Sequence, residues 1–283
     1  MQRVVKGIPA KLTLPVEYPV TSGTVSITRD RDNASVVSSA TVNVDAAAVS
    51  YTLAGQPDEA NLTATWSLTT SAGAMTIREP VQVVAFASVS LAEMRLRRPL
   101  DDVTRYPDAL LLRARAQLED QLAERAGVSF VGGEFTVVVD APDKRELFLP
   151  VARVRKLTAV NINKQDLTQS EIDEIIVDER QGSLYRRWGW HYFGYDSWFN
   201  QRLNVKITGL AGFSQPLGGL SFAMAKGIRY MLVDSPTNDR QISVSNEAGM
   251  TENLMVAGLR NAIFAIPELN MLVEQARSTF GVA

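Results

Sequence analysis

Residues 81–98 read VQVVAFASVSLAEMRLRR. In the first part Val81 and Val83 alternate with their neighbours, the period of a half-buried strand. Then Ser90 is followed three residues later by Glu93. That is a capping box, in which each side chain satisfies an orphan N–H of a new helix. A period of 2 stops and a helical pattern begins within ten residues. The spacing therefore predicts a boundary near residue 88, with a β-rich part before it and helices after it.

Upstream, short alternating runs recur at Leu12, Leu14 and Val16, at Val25 and Ile27, at Leu62, Ala64, Trp66 and Leu68, at Met75 and Ile77, and at Val81 and Val83. Turn-prone stretches such as TSG, DRDN, AGQPDE and SAGA separate them. About seven short strands at such spacing read as a small Ig-like β-sandwich over residues 1–88 that folds independently. Downstream, the capped helix is expected to end near Pro99. A longer helix follows, with Pro107 suited to its first position and Gly127 to its left-handed cap. Leu111, Ala114, Leu118 and Leu122 share one face, and Arg113, Glu119, Asp120 and Glu124 form a solvated or subunit-facing side.

Strands are expected again at EFTVVVD, ELFLPV, KLTAVNI, IIVD, SLYRR and RLNVKITG, with a turn of helix at TQSEIDE. Pro216 is read as opening a helix with Leu220, Met224, Ile228 and Met231 on one face, stopped by Ser235-Pro236. The reading assigns residues 89–236 to an α+β domain and 237–283 to a C-terminal tail. That tail ends in a helix whose stripe is Leu269, Leu272, Val273 and Ala276. Three parts are expected in all.

Composition narrows the chemistry. The 283 residues carry a net charge of −2, so no global basic field advertises nucleic acid. There is no cysteine and one histidine, which excludes disulfides, thiolate nucleophiles and a multi-histidine metal site within one chain. The N-terminus lacks an apolar run of signal-peptide length, and no stretch approaches ~18 apolar residues. The expectation is a soluble protein made in a cytoplasm, with no cofactor and no membrane.

From Tyr106 onward the order of pieces resembles head-to-tail connector (adaptor) proteins of long-tailed bacteriophages. The resemblance rests on YPDALLLRARAQLEDQLAERAGVSF, LFLPVARVRKLTAVNIN, LTQSEIDEIIVDERQGSLYRR, LNVKITGLAGFSQPLGGLSFAMAKGIRYML, SVSNEAGMTENL and FAIPELNMLV, in that order. In that family a helix precedes a β-rich insert, then a G-x-x-x-P passage, a helix and a terminal tail. The N-terminal part is similar to the extra domain of longer adaptors from actinobacterial phages. The resemblance implies a non-enzymatic virion protein of the neck, forming a ring under the portal protein, twelvefold to match it. Such a ring extends the DNA channel without binding DNA specifically and docks the next neck (stopper) protein. It also implies that the tail stripe Leu269, Leu272, Val273 and Ala276 docks on the portal.

One stretch departs from the family. Residues 185–199, YRRWGWHYFGYDSWF, hold eight aromatic rings and three of the four tryptophans. At ~150–250 Å² per ring, their area is on the order of 1,200–2,000 Å². A monomer exposes apolar patches of only ~300–600 Å². The rings must be covered, either in the core, at a protein contact, or by a sugar. Trp188, Trp190, Tyr192, Phe193, Tyr195, Trp198 and Phe199 are read as a neck-partner or subunit contact, since interfaces favour Trp, Tyr and the flanking Arg186, Arg187 and Arg202. A carbohydrate- or receptor-binding sandwich is the alternative function. His191, Asp196 and Ser197 sit too close along one loop for triad geometry. The acidic run Glu171, Asp173, Glu174, Asp178 and Glu179 lacks a calcium-loop pattern and reads as a solvated face or a channel lining. Arg95, Arg97, Arg98 and Arg105, mixed with Asp101 and Asp102, suggest salt bridges across an interface.

Overall fold

The structure is a computed structural model that describes residues 2–45, 48–140, 145–179, 181–187, 189–190, 205–233, 243–245, 251–253 and 266–280. The first eight strands are β1 (Gln2–Val5), β2 (Ala10–Pro15), β3 (Val20–Arg29), β4 (Ser35–Thr41), β5 (Asn43–Asp45), β6 (Ala48–Leu53), β7 (Ala60–Thr70) and β8 (Gly73–Val84). Helices α1 (Leu91–Arg95) and α2 (Asp108–Ala126) follow. Next come β9 (Gly133–Val139), β10 (Glu146–Phe148), β11 (Val154–Ile162), β12 (Gln165–Asp166), α3 (Gln169–Asp173), β13 (Ile176–Asp178), β14 (Ser183–Tyr185) and β15 (Val205–Ala211). Helix α4 (Leu220–Val233), the short pair β16 (Ser243–Ser245) and β17 (Thr251–Asn253), and α5 (Pro267–Phe280) complete the order.

These elements form two compact units, each made of two stretches of chain: residues 1–87 with 127–215, and residues 88–126 with 216–283. The chain is thus multidomain and β-rich at its N-terminus, as the periodicity indicates. The grouping differs from a three-part division along the chain. Residues 127–215 belong with the N-terminal sheets, while the helices on either side of them belong together.

In the β unit one sheet has the order β1-β8-β7-β3-β4 and a second has β2-β6-β5. The β1–β8 pair is parallel and the other ladders are antiparallel. Alternation along β7 turns Leu62, Ala64, Trp66 and Leu68 inward. They share one core with Leu12 and Leu14 of β2 and Val49 and Leu53 of β6, from the other sheet. The runs at Met75 and at Val81 are one continuous strand, β8. Pro80 is tolerated inside it because the ladder with β1 begins only at Val81, so β8 is an edge at that point.

Residues 127–215 add a four-stranded sheet, β12-β11-β15-β9, and a three-stranded sheet, β10-β14-β13. Their core gathers Leu147, Val154, Leu157, Val160, Ile162, Leu184, Val205 and Ile207. Two buried carboxylates join this insert to the N-terminal sheets. Glu59, just before β7, is gripped through both carboxylate oxygens by Arg155 of β11, and Lys6 lies 3.6 Å away. Glu134 of β9 accepts the Asn61 N–H at 2.8 Å and faces Arg31 at 3.5 Å, while the Asn61 amide donates to the Glu134 carbonyl at 3.1 Å. Gly132 sits where the segments touch. Its carbonyl accepts the Ala85 N–H at 2.8 Å, and a Cβ there would lie 2.6 Å from the Arg155 guanidinium and from the Phe213 carbonyl.

The helical unit begins with the expected capping box. The Ser90 N–H donates to Glu93 at 2.8 Å, and the Glu93 N–H to the Ser90 hydroxyl at 3.2 Å. The Ser90 N–H, with the Ser90 hydroxyl that also donates to the carboxylate at 2.8 Å, holds the Glu93 carboxyl below its usual range. In α2 the stripe Leu111, Ala114, Leu118 and Leu122 is buried, and Gly127 has the left-handed φ of a cap. The opposite side is not wholly solvated. Glu119 is buried with Arg115, four residues earlier, because Ser88 and Val89 lie over them: the Ser88 hydroxyl donates to Glu119, and Arg115 donates to the Val89 carbonyl at 3.1 Å. Helix α4 starts at Leu220 rather than at Pro216. Leu220, Met224 and Ile228 are buried as expected, while Met231 is half-buried.

Removing one partner of a buried ion pair leaves the other charge uncompensated, at a cost of ~3–5 kcal/mol. Arg155→Ala should lower the stability of the β unit by about 3 kcal/mol in urea denaturation, the low end because Lys6 remains near Glu59. Deleting residues 1–87 should destabilise the insert rather than free it.

Burial pushes the Glu134 carboxyl above its usual range, against the opposing pull of the Asn61 N–H and Arg31. A carboxyl whose folded pKa is raised binds its proton more tightly folded than unfolded, so stability rises as pH falls through the folded value. Wild type should therefore gain stability relative to Glu134→Gln on acidification through that window. Parallel denaturation curves at several pH values check this.

Candidate interaction site

The aromatic stretch begins at the end of β14. The Arg186 N–H donates to the Arg145 carbonyl, extending the β10–β14 ladder by one residue. A tight turn follows, in which the Gly189 N–H donates to the Arg186 carbonyl and the Arg186 guanidinium returns a bond to the Gly189 carbonyl, both at 3.1 Å. Gly189 takes φ +77°, a conformation that glycine adopts without strain. The turn sends Trp190 inward. Its ring is fully buried among Leu147, Leu184, Val160 and Ile207, and its indole N–H donates to the Arg145 carbonyl at 2.9 Å.

Trp190 is therefore core and not a partner contact. The physical reason is that the turn at Gly189 carries the ring into the apolar core of the insert, where the Arg145 carbonyl satisfies its indole N–H. Trp188, Tyr192, Phe193, Tyr195, Trp198 and Phe199, with His191, lie outside the described residues.

The C-terminal stripe is also internal. Leu269, Leu272, Val273 and Ala276 are all buried within the helical unit, where α5 packs on α2 and α4. Lys226 of α4 pairs with Glu268 at 2.7 Å and draws its carboxyl down. At the far end Arg277 donates to the Arg125 carbonyl at 2.7 Å, satisfying the open C-terminus of α2. The apolar stripe that was expected to dock on a portal is satisfied by the chain's own helices. Met271 is a large apolar residue that α5 turns outward.

The charged runs serve mainly local structure. Glu171 caps α3 through bonds from the Thr168 N–H and hydroxyl, both 2.8 Å, which hold its carboxyl below the usual range; Arg186 adds a weaker pull. Asp173 accepts from Gln169 at 2.8 Å, and Asp178 accepts the Gln181 N–H at 3.2 Å. In the helical unit Arg95 bonds the Leu100 carbonyl and Asp108, Arg97 lies 4.7 Å over the Phe222 ring, and Arg98 reaches Asp101 at 4.0 Å. Arg105 lies over the Tyr106 ring. These salt bridges and stacks are within the chain.

What remains open is apolar surface that the sequence reading did not single out. In the β unit the outer face of β10-β14-β13 carries Phe148, 62% exposed, Ile176, 65% exposed, and Tyr185, 39% exposed. Register places Tyr185 directly opposite Ile176, with Phe148 one step along the same face. In the run Leu147-Phe148-Leu149 both faces of the strand are apolar, so periodicity alone could not tell which would be left uncovered. The Arg145 guanidinium reaches the Tyr185 hydroxyl at 3.4 Å beside this patch.

Neither a protein-family model nor a curated protein sequence matches this chain.

Leu272 distinguishes the two roles of α5. Leu272→Asp buries a carboxylate against α2 and α4, and losing a buried leucine alone costs ~2–5 kcal/mol. The variant should lose cooperative unfolding or drop in stability by at least about 3 kcal/mol as an isolated chain. An unchanged melting curve would return α5 to a docking role.

Proposed function

We propose that this chain is a head-to-tail adaptor of a long-tailed bacteriophage. In this reading it forms a ring beneath the portal protein, continues the DNA channel without gripping DNA, and receives the next neck protein. It acts as a structural part of the virion neck and performs no catalysis. The observation that carries the reading is the order of parts in and around the helical unit. Helix α2 is followed by a β-rich insert, β9 to β15, then by Gly212 and Pro216 in a G-x-x-x-P passage, then by α4 and the terminal helix α5. That order is what the resemblance implies from Tyr106 onward. No helix among the described residues is long and apolar enough to cross a membrane.

The N-terminal sandwich is read as Ig-like. Supporting this, β1 runs parallel to the last strand β8, the chain crosses between sheets after β1, β2, β4 and β6, and β3-β4, β5-β6 and β7-β8 are adjacent antiparallel pairs. Two mainly antiparallel sheets with such crossings resemble the Greek-key pattern of that class. With α5 packed internally, portal docking falls to other surfaces of the chain.

Coexpression with the portal protein of the same virion tests the reading. Native mass spectrometry should find many copies of this chain on one portal ring, twelve if the symmetries match. A chain that stays monomeric at micromolar concentration and ignores the portal overturns it.

A further inference from the structure

We infer that the three-stranded sheet β10-β14-β13 is the joint between neighbouring copies, with β13 of one copy pairing alongside β10 of the next. This inference rests on the ring reading above. Among the described residues the sheet has the order β10-β14-β13, so β10 and β13 are both edges.

The hydrogen-bond phase shows what those edges offer. The Leu149 N–H donates to the Gly182 carbonyl and the Arg186 N–H to the Arg145 carbonyl, both at 3.0 Å. In an antiparallel ladder, residues that exchange bonds alternate with residues whose N–H and C=O point the other way. Leu147 opposite Leu184 is therefore a bonded pair, and Glu146 and Phe148 turn their backbone groups outward. Leu184 spends its bonds on β10, so Val177 of β13, opposite it on the other side, also turns its groups outward. Open edges of this kind are templates for pairing with another chain.

Three observations select a second copy, arranged head to tail. First, both edge strands are antiparallel to β14 and hence parallel to each other, and each is three residues long. Copies in one orientation can add in succession, β13 beside β10, as a heterologous contact requires; such a contact closes into a ring when its rotation does.

Second, charge opposes the symmetric alternative. Exposed Asp173, Glu174 and Glu179 flank β13 and exposed Asp178 ends it, so two β13 edges would set like charges face to face. The β10 edge holds one described carboxylate, Glu146, and opens with exposed Arg145. Parallel pairing brings Arg145 beside Asp173 and Glu174 of the neighbour, since both lie at the strand starts. Third, Phe148 and Ile176 stand on the same face, so the pairing merges two exposed apolar patches into one.

The chain has no cysteine, which permits a clean test. Full-length Phe148→Cys and Ile176→Cys are mixed, assembled with the portal protein and oxidised. A second mixture uses Glu146→Cys with Ile176→Cys to cover the neighbouring register. At least one mixture should give a disulfide-linked dimer containing one of each variant, and no variant alone should link. Val177→Pro, an edge proline whose missing N–H faces outward, should keep the wild-type circular dichroism spectrum and assemble at least tenfold less. Absence of links in both mixtures while wild type forms multi-copy rings overturns the joint and leaves the ring standing. Links formed by one variant alone overturn the head-to-tail arrangement. Wild type that forms no multi-copy species sinks the ring reading itself.

Discussion

Two buried carboxylates set the organisation of the β unit. Glu59 and Glu134 are almost wholly removed from water, and an isolated buried carboxylate is costly enough that it must find cations or N–H donors. Each finds them on the other side of a sequence gap. Glu59 takes Arg155, about a hundred residues later, and Glu134 takes Asn61 and Arg31, both far earlier in the chain. The two contacts run in opposite directions across the junction. Gly132 lets the backbones approach closely enough for both. The N-terminal sheets and the insert are consequently one unit, although each has its own apolar core.

The helical unit is assembled by the complementary route. Its two halves are separated by the whole insert, and they rejoin through apolar stripes rather than through charge. Leu111, Leu118 and Leu122 of α2, Met224 and Ile228 of α4, and Leu269, Leu272 and Val273 of α5 are all buried. Polar contacts at the margin, the Lys226–Glu268 ion pair and the Arg277 hydrogen bond to the Arg125 carbonyl, tie α5 to its neighbours and add little by themselves at exposed positions. A buried charge pair, Arg115 with Glu119, is closed over by Ser88 and Val89, the residues through which the chain enters the unit. The boundary at residue 88 is thus both a change of period and a packing element.

Under the proposed adaptor reading, the chain needs a stable body and a surface that meets its own copies. The apolar surface that looked most available in the sequence, the α5 stripe and Trp190, is consumed by folding. In the β unit the apolar surface left exposed includes Phe148, Ile176 and Tyr185 on short strands, held outward by the pairing of β14 with both neighbours.

Local elements can be read directly from neighbouring residues. The capping box at Ser90, the α2 stripe with its Gly127 cap, the alternation around Trp66 and the strand and turn from EFTVVVD to SLYRR depend on contacts within a few residues, and periodicity and capping record such contacts directly. Tertiary structure alone decided which faces were covered and which segments belonged together. Leu272 and Trp190 look the same in sequence whether a partner or the chain's own core covers them, because burial satisfies the same side chain either way. Glu119 lies on the polar side of α2 by spacing, and only the passage of Ser88 over it makes it internal. The union of residues 1–87 with 127–215 rests on Glu59 meeting Arg155 and Glu134 meeting Asn61, pairings between residues so far apart along the chain that no local pattern carries them.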